Sequence, residues 1–320
     1  MEKRSIGTTG VRITPLMFGT SGLGHMPDTY GYEVDEARAR ATLDAIFDGP
    51  INCLDTSNNY GMGRSEERIG AAIRARGGLP EGFVISTKLD RDMDTGRFDA
   101  VQARRSLEVS LNRVGVDDVG ILHLHDPEHA ADLSEITGTG GALDELFKMK
   151  EEGLAQSVGL AMGRLDLMFP ILRDYPFDAL INHNRWTLLN RSAGEMYDYA
   201  QENGIAILNA APFAGGVLAK GADVMPKISY SAADDTALEP VRRIEAICAD
   251  AGVATGAAAL QFSTRDPRIT STIVGVSKPE RVTEMLDWAA ADLPQPLQDT
   301  LDALPADMSD PEAHRVFTPG

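Results

Sequence analysis

The sequence predicts an α/β fold on a parallel sheet, with eight strand segments that suit a closed barrel better than an open sheet. Three observations carry this. Short apolar or β-branched runs alternate with helical patterns along the chain, an order that produces parallel strands. Chemistry-bearing residues end three successive runs: Asp55 after Ile51-Asn52-Cys53-Leu54, Lys88 after Phe83-Val84-Ile85-Ser86-Thr87, and His125 after Val119-Gly120-Ile121-Leu122-His123-Leu124. In parallel α/β folds, functional groups gather at the carboxyl ends of strands. No Gly/Ser linker or break in composition divides the 320 residues, so one domain over 1–320 is expected.

The elements follow in order. Arg4 to Thr14 carries Gly7-Thr8-Thr9-Gly10 between apolar positions and reads as a hairpin. Leu16-Met17-Phe18-Gly19-Thr20 is the first strand, and glycine-rich Ser21 to Gly31 is the loop after it. Glu33 to Phe47 shows helical spacing. Further strands are expected near 51–55, 84–88, 120–125, 156–160, 178–182, 205–210 and 271–275. Helical patterns lie between them at 66–76, 99–113, 141–152, 166–173, 193–202 and 240–251. Ser65, with Glu66 and Glu67 in the first turn, looks like a helix start. So does Ser277-Lys278-Pro279-Glu280-Arg281, with Ser277 as cap and Pro279 in the first turn. The acidic, Pro-rich tail 292–320 reads as a loosely ordered terminus.

Composition narrows the function. Apolar content of 43% and charged content of 24% are those of a globular protein. No apolar run approaches a membrane span, and no signal-peptide core follows the N-terminus, so a cytoplasmic protein is expected. Two distant cysteines, Cys53 and Cys248, fit a reduced compartment. A formal charge of −18 argues against nucleic acid or anionic membrane as partner. An anionic cofactor would need a local cationic site.

At the strand ends, Asp55, Tyr60, Lys88 and His125 form a proton-handling set. A phenol with a pKa of about 10 needs help to exchange a proton at neutral pH. A nearby ammonium favours the phenolate, and a carboxylate can hold that ammonium in place. Competing chemistries have thinner support. Cys53 lies mid-strand and reads as a small buried hydrophobe rather than a nucleophile. His123, His125 and His129 could suggest a metal site, which would want further ligands at fixed spacing; Asp126 and Glu128 could supply them, but the pattern is weak. No Gly-x-Gly-x-x-Gly follows the first strand, and no phosphate-loop pattern occurs. The free N–H groups of a helix opening near Pro279, with Lys278 and Arg281, would suit a phosphate; an ordinary capped helix reads equally well.

The stretches from Asp55 through Tyr60 to Glu67, Ser86-Thr87-Lys88, His125-Asp126-Pro127, Asn184 to Leu189 and Ile273 to Ser277 resemble the aldo-keto reductases. The resemblance covers essentially the whole chain. It implies a (β/α)8 TIM barrel with an N-terminal β-hairpin plugging one end, and a nicotinamide cofactor. It implies Tyr60 as proton donor and acceptor, Lys88 and Asp55 as its supports, and His125 as the group that hydrogen-bonds the substrate oxygen. His125 is chosen over His123 because it ends the strand before Asp126-Pro127; His123 reads as a buried histidine in a satisfied hydrogen bond. The tail would help wall the substrate site.

For the cofactor the resemblance points to Gly19, Thr20, Asn182, Pro212, Phe213, Gly215, Gly275, Ser277, Lys278, Arg281 and Glu284. Arg281 falls where many members hold the 2′-phosphate, which favours NADP over NAD. Several positions depart from the common pattern. Leu160-Ala161-Met162 follows Gly159 where many members have Ser-Asn, Asn182 replaces a glutamine, Ala210-Ala211 replaces a stacking Tyr and Ser, and Met285 replaces an Asn.

The stretches 184–190 and 211–218 are closest to sugar dehydrogenases that oxidise L-fucose, D-threo-aldoses or L-galactose, a branch that includes a pyridoxal dehydrogenase. Asn182, His183, Asn184 and Arg185 would suit a polyhydroxylated ligand, though polar strand ends are also common structural caps. The expected activity is hydride transfer between nicotinamide and a small aldehyde, ketone or cyclic hemiacetal, an aldose first. A general carbonyl reductase and a pyridoxal dehydrogenase are the alternatives. A cofactor-sensing regulatory subunit, like the potassium-channel β subunits of the family, is the non-enzyme alternative. Turnover of bound cofactor with aldehydes and aldoses separates these readings. Oligomeric state is left open.

Overall fold

The computed structural model describes residues 1–229 and 231–312 of the chain. Eight parallel strands close into a barrel. They are β1 (Leu16–Gly19), β2 (Cys53–Asp55), β3 (Val84–Leu89), β4 (Val119–His125), β5 (Ala155–Ala161), β6 (Ala179–His183), β7 (Ala206–Ala210) and β8 (Ile269–Gly275). The predicted α/β barrel is therefore the observed one. Its strand bounds agree with the sequence reading to within two residues.

Because side chains alternate across a strand, every second residue faces the barrel axis. Met17, Cys53, Ile121, Ile181, Leu208 and Ile273 meet inside with Ile6, Val11 and Ile13. The last three belong to the expected hairpin, whose strands Arg4–Ser5 and Arg12–Ile13 pair antiparallel. It plugs the amino-terminal end, leaving the carboxyl end as the open mouth. The opposite strand faces carry Leu16, Phe18, Leu54, Leu122, Val158, Leu160 and Val274 into a larger cluster beneath the helices.

The helices alternate with the strands: α1 (Glu36–Phe47), α2 (Arg64–Arg76), α3 (Ala100–Val114), α4 (Ala142–Glu151), α5 (Leu165–Asp174), α6 (Gly194–Glu202), α7 (Asp235–Asp250), α8 (Thr255–Thr264), α9 (Pro279–Ala290) and α10 (Gln295–Asp302). Three local expectations are corrected. Ser65 does not cap α2: Gly63, at φ 92°, precedes the helix, and the Ser65 hydroxyl donates to the Thr20 carbonyl at 3.0 Å. Ser277 does not cap α9: Lys278 holds that position, and no side chain caps the helix. The tail is ordered as far as residue 312. Leu297 and Leu301 of α10 are buried, Arg191 N–H donates to the Asp307 carbonyl at 2.9 Å, and Asn190 Nδ2 donates to the Ser309 carbonyl at 2.9 Å. Residues 313–320 of the tail lie outside the described residues.

Candidate active site

The ladder sets the mouth. Gly19 pairs with Asp55, Asp55 with Ser86, Lys88 with His123, and His125 with Ala161. Asp55, Lys88 and His125 thus end neighbouring strands on the inward face. Lys88 is buried and donates to both Asp55 carboxylate oxygens, at 2.8 and 2.7 Å, and to the Thr56 carbonyl at 2.6 Å. Its ammonium also reaches the Tyr60 hydroxyl at 3.1 Å. The four residues read from the sequence are brought together.

Tyr60 sits in the loop between β2 and α2, and that loop is pinned on two sides. Asn58 Nδ2 donates to the Ser106 carbonyl at 3.0 Å, and an Arg113 N–H donates to the Asn58 carbonyl at 3.0 Å, both from α3. On the other side Gly61, at φ 61°, lies so close to Gly24 that a Cβ there would stand 2.0 Å from the Gly24 carbonyl oxygen. Only paired glycines permit that approach.

The phenol's environment differs from the sequence expectation. Burial first, then the charge of Asp55, holds the Tyr60 pKa well above its ordinary value. Asp55 offsets the Lys88 charge, so desolvation decides the direction. Tyr60 is a neutral acid at physiological pH.

His125 is oriented by a carboxylate that sequence reasoning missed. Its Nδ1 lies 2.7 Å from Asp90 Oδ1, and its ring meets that of Tyr60 edge-on at 6.1 Å between centroids. Asp90 is one residue past β3 and buried. His123 is fully buried, but neither ring nitrogen has a hydrogen-bond partner, so the expected satisfied bond is absent. Burial pushes its pKa well below the ordinary value and keeps it neutral beside Lys88.

Across the mouth, the inward series on β6 runs 179, 181, 183, which places His183 rather than Asn182 on the axis side. Asn182 turns to the helix side, where its Nδ2 donates to the Met162 and Gly163 carbonyls at 2.9 and 3.1 Å and approaches Met168 Sδ. His183 Nε2 contacts Glu312 at 2.8 Å, and the fully buried Arg185 pairs with Asp310 at 2.5 Å and Glu312 at 2.9 Å. The C-terminal segment is thereby drawn to the mouth. Beside it, Glu128 receives the Gly163 N–H at 3.0 Å while its second oxygen has no partner. Burial, then Asp126, pushes the Glu128 pKa up to about 7.

The residues read as cofactor-binding divide into scaffold and surface. Thr20 is fully buried, its hydroxyl donating to the Asp55 carbonyl at 2.9 Å, and Gly19 lies against Ile273. Phe213 packs edge-on against Trp288, and Gly215, at φ 77°, shapes the turn that follows. Arg281 ion-pairs with Glu284, and its guanidinium stands 5.2 Å from the Trp288 ring centre. At Lys220, which no motif marks, burial first, then the Arg281 charge, lowers the pKa. Its ammonium is 6.0 Å from the Tyr32 ring centre.

The model for the aldo/keto reductase family matches residues 15–305. The chain belongs to that family. Among its relatives is D-threo-aldose 1-dehydrogenase of a Pseudomonas species, 29% identical over 89% of this chain and 92% of its own length. Another is pyridoxal 4-dehydrogenase of Microbacterium luteolum, 28% identical over 94% of this chain and 96% of its own length. The holo form of an aldo-keto reductase from Bacillus halodurans has the same fold, with a TM-score of 0.78 at 20% identity over 99% of this chain and 100% of its own.

Aldo-keto reductases are oxidoreductases that use nicotinamide cofactors, and the donor set at α9 suits the phosphates of one. Arg281 lies in the first turn of α9, whose N-terminus no side chain caps, and its charge is felt at Lys220, in a chain of otherwise acidic charge. Gly275 ends β8, Ser277 and Lys278 lie between it and α9, and Pro212 lies in the loop after β7. Ser277 offers its carbonyl to Arg38 Nε at 2.8 Å.

Proposed function

We propose that this aldo-keto reductase moves a hydride between NADP and a small polyhydroxylated aldehyde or its cyclic hemiacetal, an aldose being the natural class. The chain from the Tyr60 hydroxyl through Lys88 to Asp55 carries the reading. The nicotinamide, when bound, supplies or accepts the hydride. Tyr60 gives its proton to the carbonyl oxygen in reduction; in oxidation it must first lose that proton, and then takes the hydroxyl proton as the phenolate facing Lys88. The phenolate left by reduction faces the Lys88 ammonium 3.1 Å away, so charge separates against a fixed counter-ion. His125 holds the substrate oxygen in place.

Preference for an aldose is supported by the polar wall of His183, Asp126 and Glu128, whose unpartnered buried oxygen suits a sugar hydroxyl. The aldose dehydrogenase among the relatives supports it too. NADP is preferred because Arg281 stands in the first turn of α9 and its charge is felt at Lys220, which gives that end of the site cationic character.

A screen following nicotinamide absorbance in both directions tests this, with L-fucose, L-galactose, other aldoses, pyridoxal and simple aldehydes against NADP and NAD. Aldoses should give the highest kcat/KM, with NADP ahead of NAD. Pyridoxal as the best substrate would replace the aldose reading. Cofactor binding with no turnover on any compound would favour a sensor and overturn the enzymatic assignment for this site.

A further inference from the structure

Asp90 is a buried carboxylate with three donors aimed at it. Its Oδ2 receives the Ser57 hydroxyl at 2.5 Å and the Asn59 N–H at 3.0 Å, while Oδ1 faces His125 Nδ1 at 2.7 Å. Its own backbone is clamped by α3: Asp90 N–H donates to Ser106 Oγ at 3.0 Å, and its carbonyl receives Gln102 Nε2 at 3.0 Å. The carboxylate is therefore fixed before any ligand arrives.

An ionised carboxylate only accepts, so the proton of the Asp90–His125 bond belongs to Nδ1. A neutral imidazole carries one N–H. With that N–H spent on Asp90, Nε2 has a lone pair and nothing to donate. A carbonyl oxygen offers only lone pairs. The two cannot bond unless the ring takes a second proton.

We propose that Asp90 is a positioning residue that holds the His125 proton on Nδ1, so that His125 donates to a substrate carbonyl only as the imidazolium. The inference rests on the reading above, in which a substrate oxygen lies between Tyr60 and His125. Asp90 stands one residue beyond β3, where the sequence showed no pattern, and it makes the reductive direction depend on histidine charge.

The surroundings agree. The titratable and charged groups facing His125 are Lys88 of β3, Asp90 just beyond it, Tyr60 from the β2–α2 loop, His123 on its own strand, and Asp126, whose Oδ2 is 3.5 Å from Nε2; the Ser57 hydroxyl lies 3.4 Å from Nδ1. Burial works against a charged ring and Lys88 repels it, yet the Asp126 and Asp90 carboxylates outweigh both and raise the His125 pKa. The Asp90 pKa lies below its ordinary value, since the opposing charge and hydrogen bonds outweigh its burial. Tyr60 stays protonated well past the histidine range, so the basic limb of carbonyl reduction belongs to His125.

The test compares wild type, Asp90→Asn and Asp126→Asn by two readouts: kcat/KM for aldehyde reduction against pH, and titration of the His125 ring in ¹⁵N-histidine-labelled protein. In wild type, Nδ1 should remain protonated in both ring states, and the limb should lie above the usual pKa of about 6.5. Asp90→Asn should move limb and titration together to lower pH by about one unit, a tenfold loss of reductive rate above the limb. Asp126, partly exposed, should move them less on removal. A uniform loss at all pH values with the His125 titration unmoved would make Asp90 merely structural and overturn the proposal. So would a shift that follows Asp126→Asn alone. Should Asp90→Asn fail to fold, wild type decides: a neutral ring protonated on Nε2 sinks the idea. The ring titration needs no turnover, so an inactive enzyme would count against the reading of function and leave this inference decidable.

Discussion

At the scale of single residues, the Lys88–Asp55 pair has two duties that a mutant can separate. Both side chains are buried, at 2% and 6% exposure, so each depends on the other for its charge. Replacing Lys88 by Met leaves the buried Asp55 carboxyl, among the described residues, with the Ser86 hydroxyl at 3.3 Å as its remaining side-chain partner. An uncompensated buried charge costs about 3–5 kcal/mol. Lys88→Met should therefore lower the urea midpoint sharply and abolish turnover. Adding Asp55→Asn should restore most of the midpoint and none of the activity. Recovery of both would show that Lys88 serves the fold and not the proton. The strand-end set was legible because each member closes an apolar run. Asp90 and Lys220 were not: each acquires its partner only in space.

At the scale of elements, patterns with a clear period were read and those without were missed. Helix α8 escaped because Ala257, Ala258, Ala259, Leu260 and Phe262 are all buried, which leaves no amphipathic stripe. The start of α7 was placed late because Pro240 looks like a first-turn proline, whereas Asp234 caps the helix six residues earlier by accepting from the Ala237 N–H at 2.9 Å. Asn182 was assigned to the mouth from its place in the chain, but strand parity turns it outward. The loop holding Tyr60 makes its own prediction. Gly61→Ala places a Cβ in a left-handed residue against the Gly24 backbone. The backbone strain alone costs about 1–3 kcal/mol. The denaturation midpoint should fall, and kcat should fall further as the loops part and carry Tyr60 from Lys88. A destabilised variant with full kcat would show that the glycine contact does not set the tyrosine.

At the scale of the whole molecule, a net charge of −18 makes the cluster at α9 stand out. A dinucleotide carrying an extra phosphate gains from Arg281 only if the arginine exchanges Glu284 for that phosphate. A charge-assisted bond of roughly 1.5–3 kcal/mol corresponds to about tenfold or more in affinity. Arg281→Ala should weaken NADP by that factor, measured by fluorescence titration, and leave NAD nearly unchanged. Equal losses would place the arginine on the part both cofactors share.

The barrel delivers four side chains from three neighbouring strand ends to one mouth, Asp55 and Tyr60 both following β2, and the central claim is that they work as a proton-transfer unit around Tyr60. The most direct measurement is kcat/KM for Tyr60→Phe beside wild type, in both directions, with cofactor affinity measured on the same samples. The variant keeps the ring and loses the proton. Its kcat/KM should drop on the order of 10²–10⁴-fold while cofactor affinity stays within about twofold. A rate within a few-fold of wild type would contradict the account and move the proton to another group.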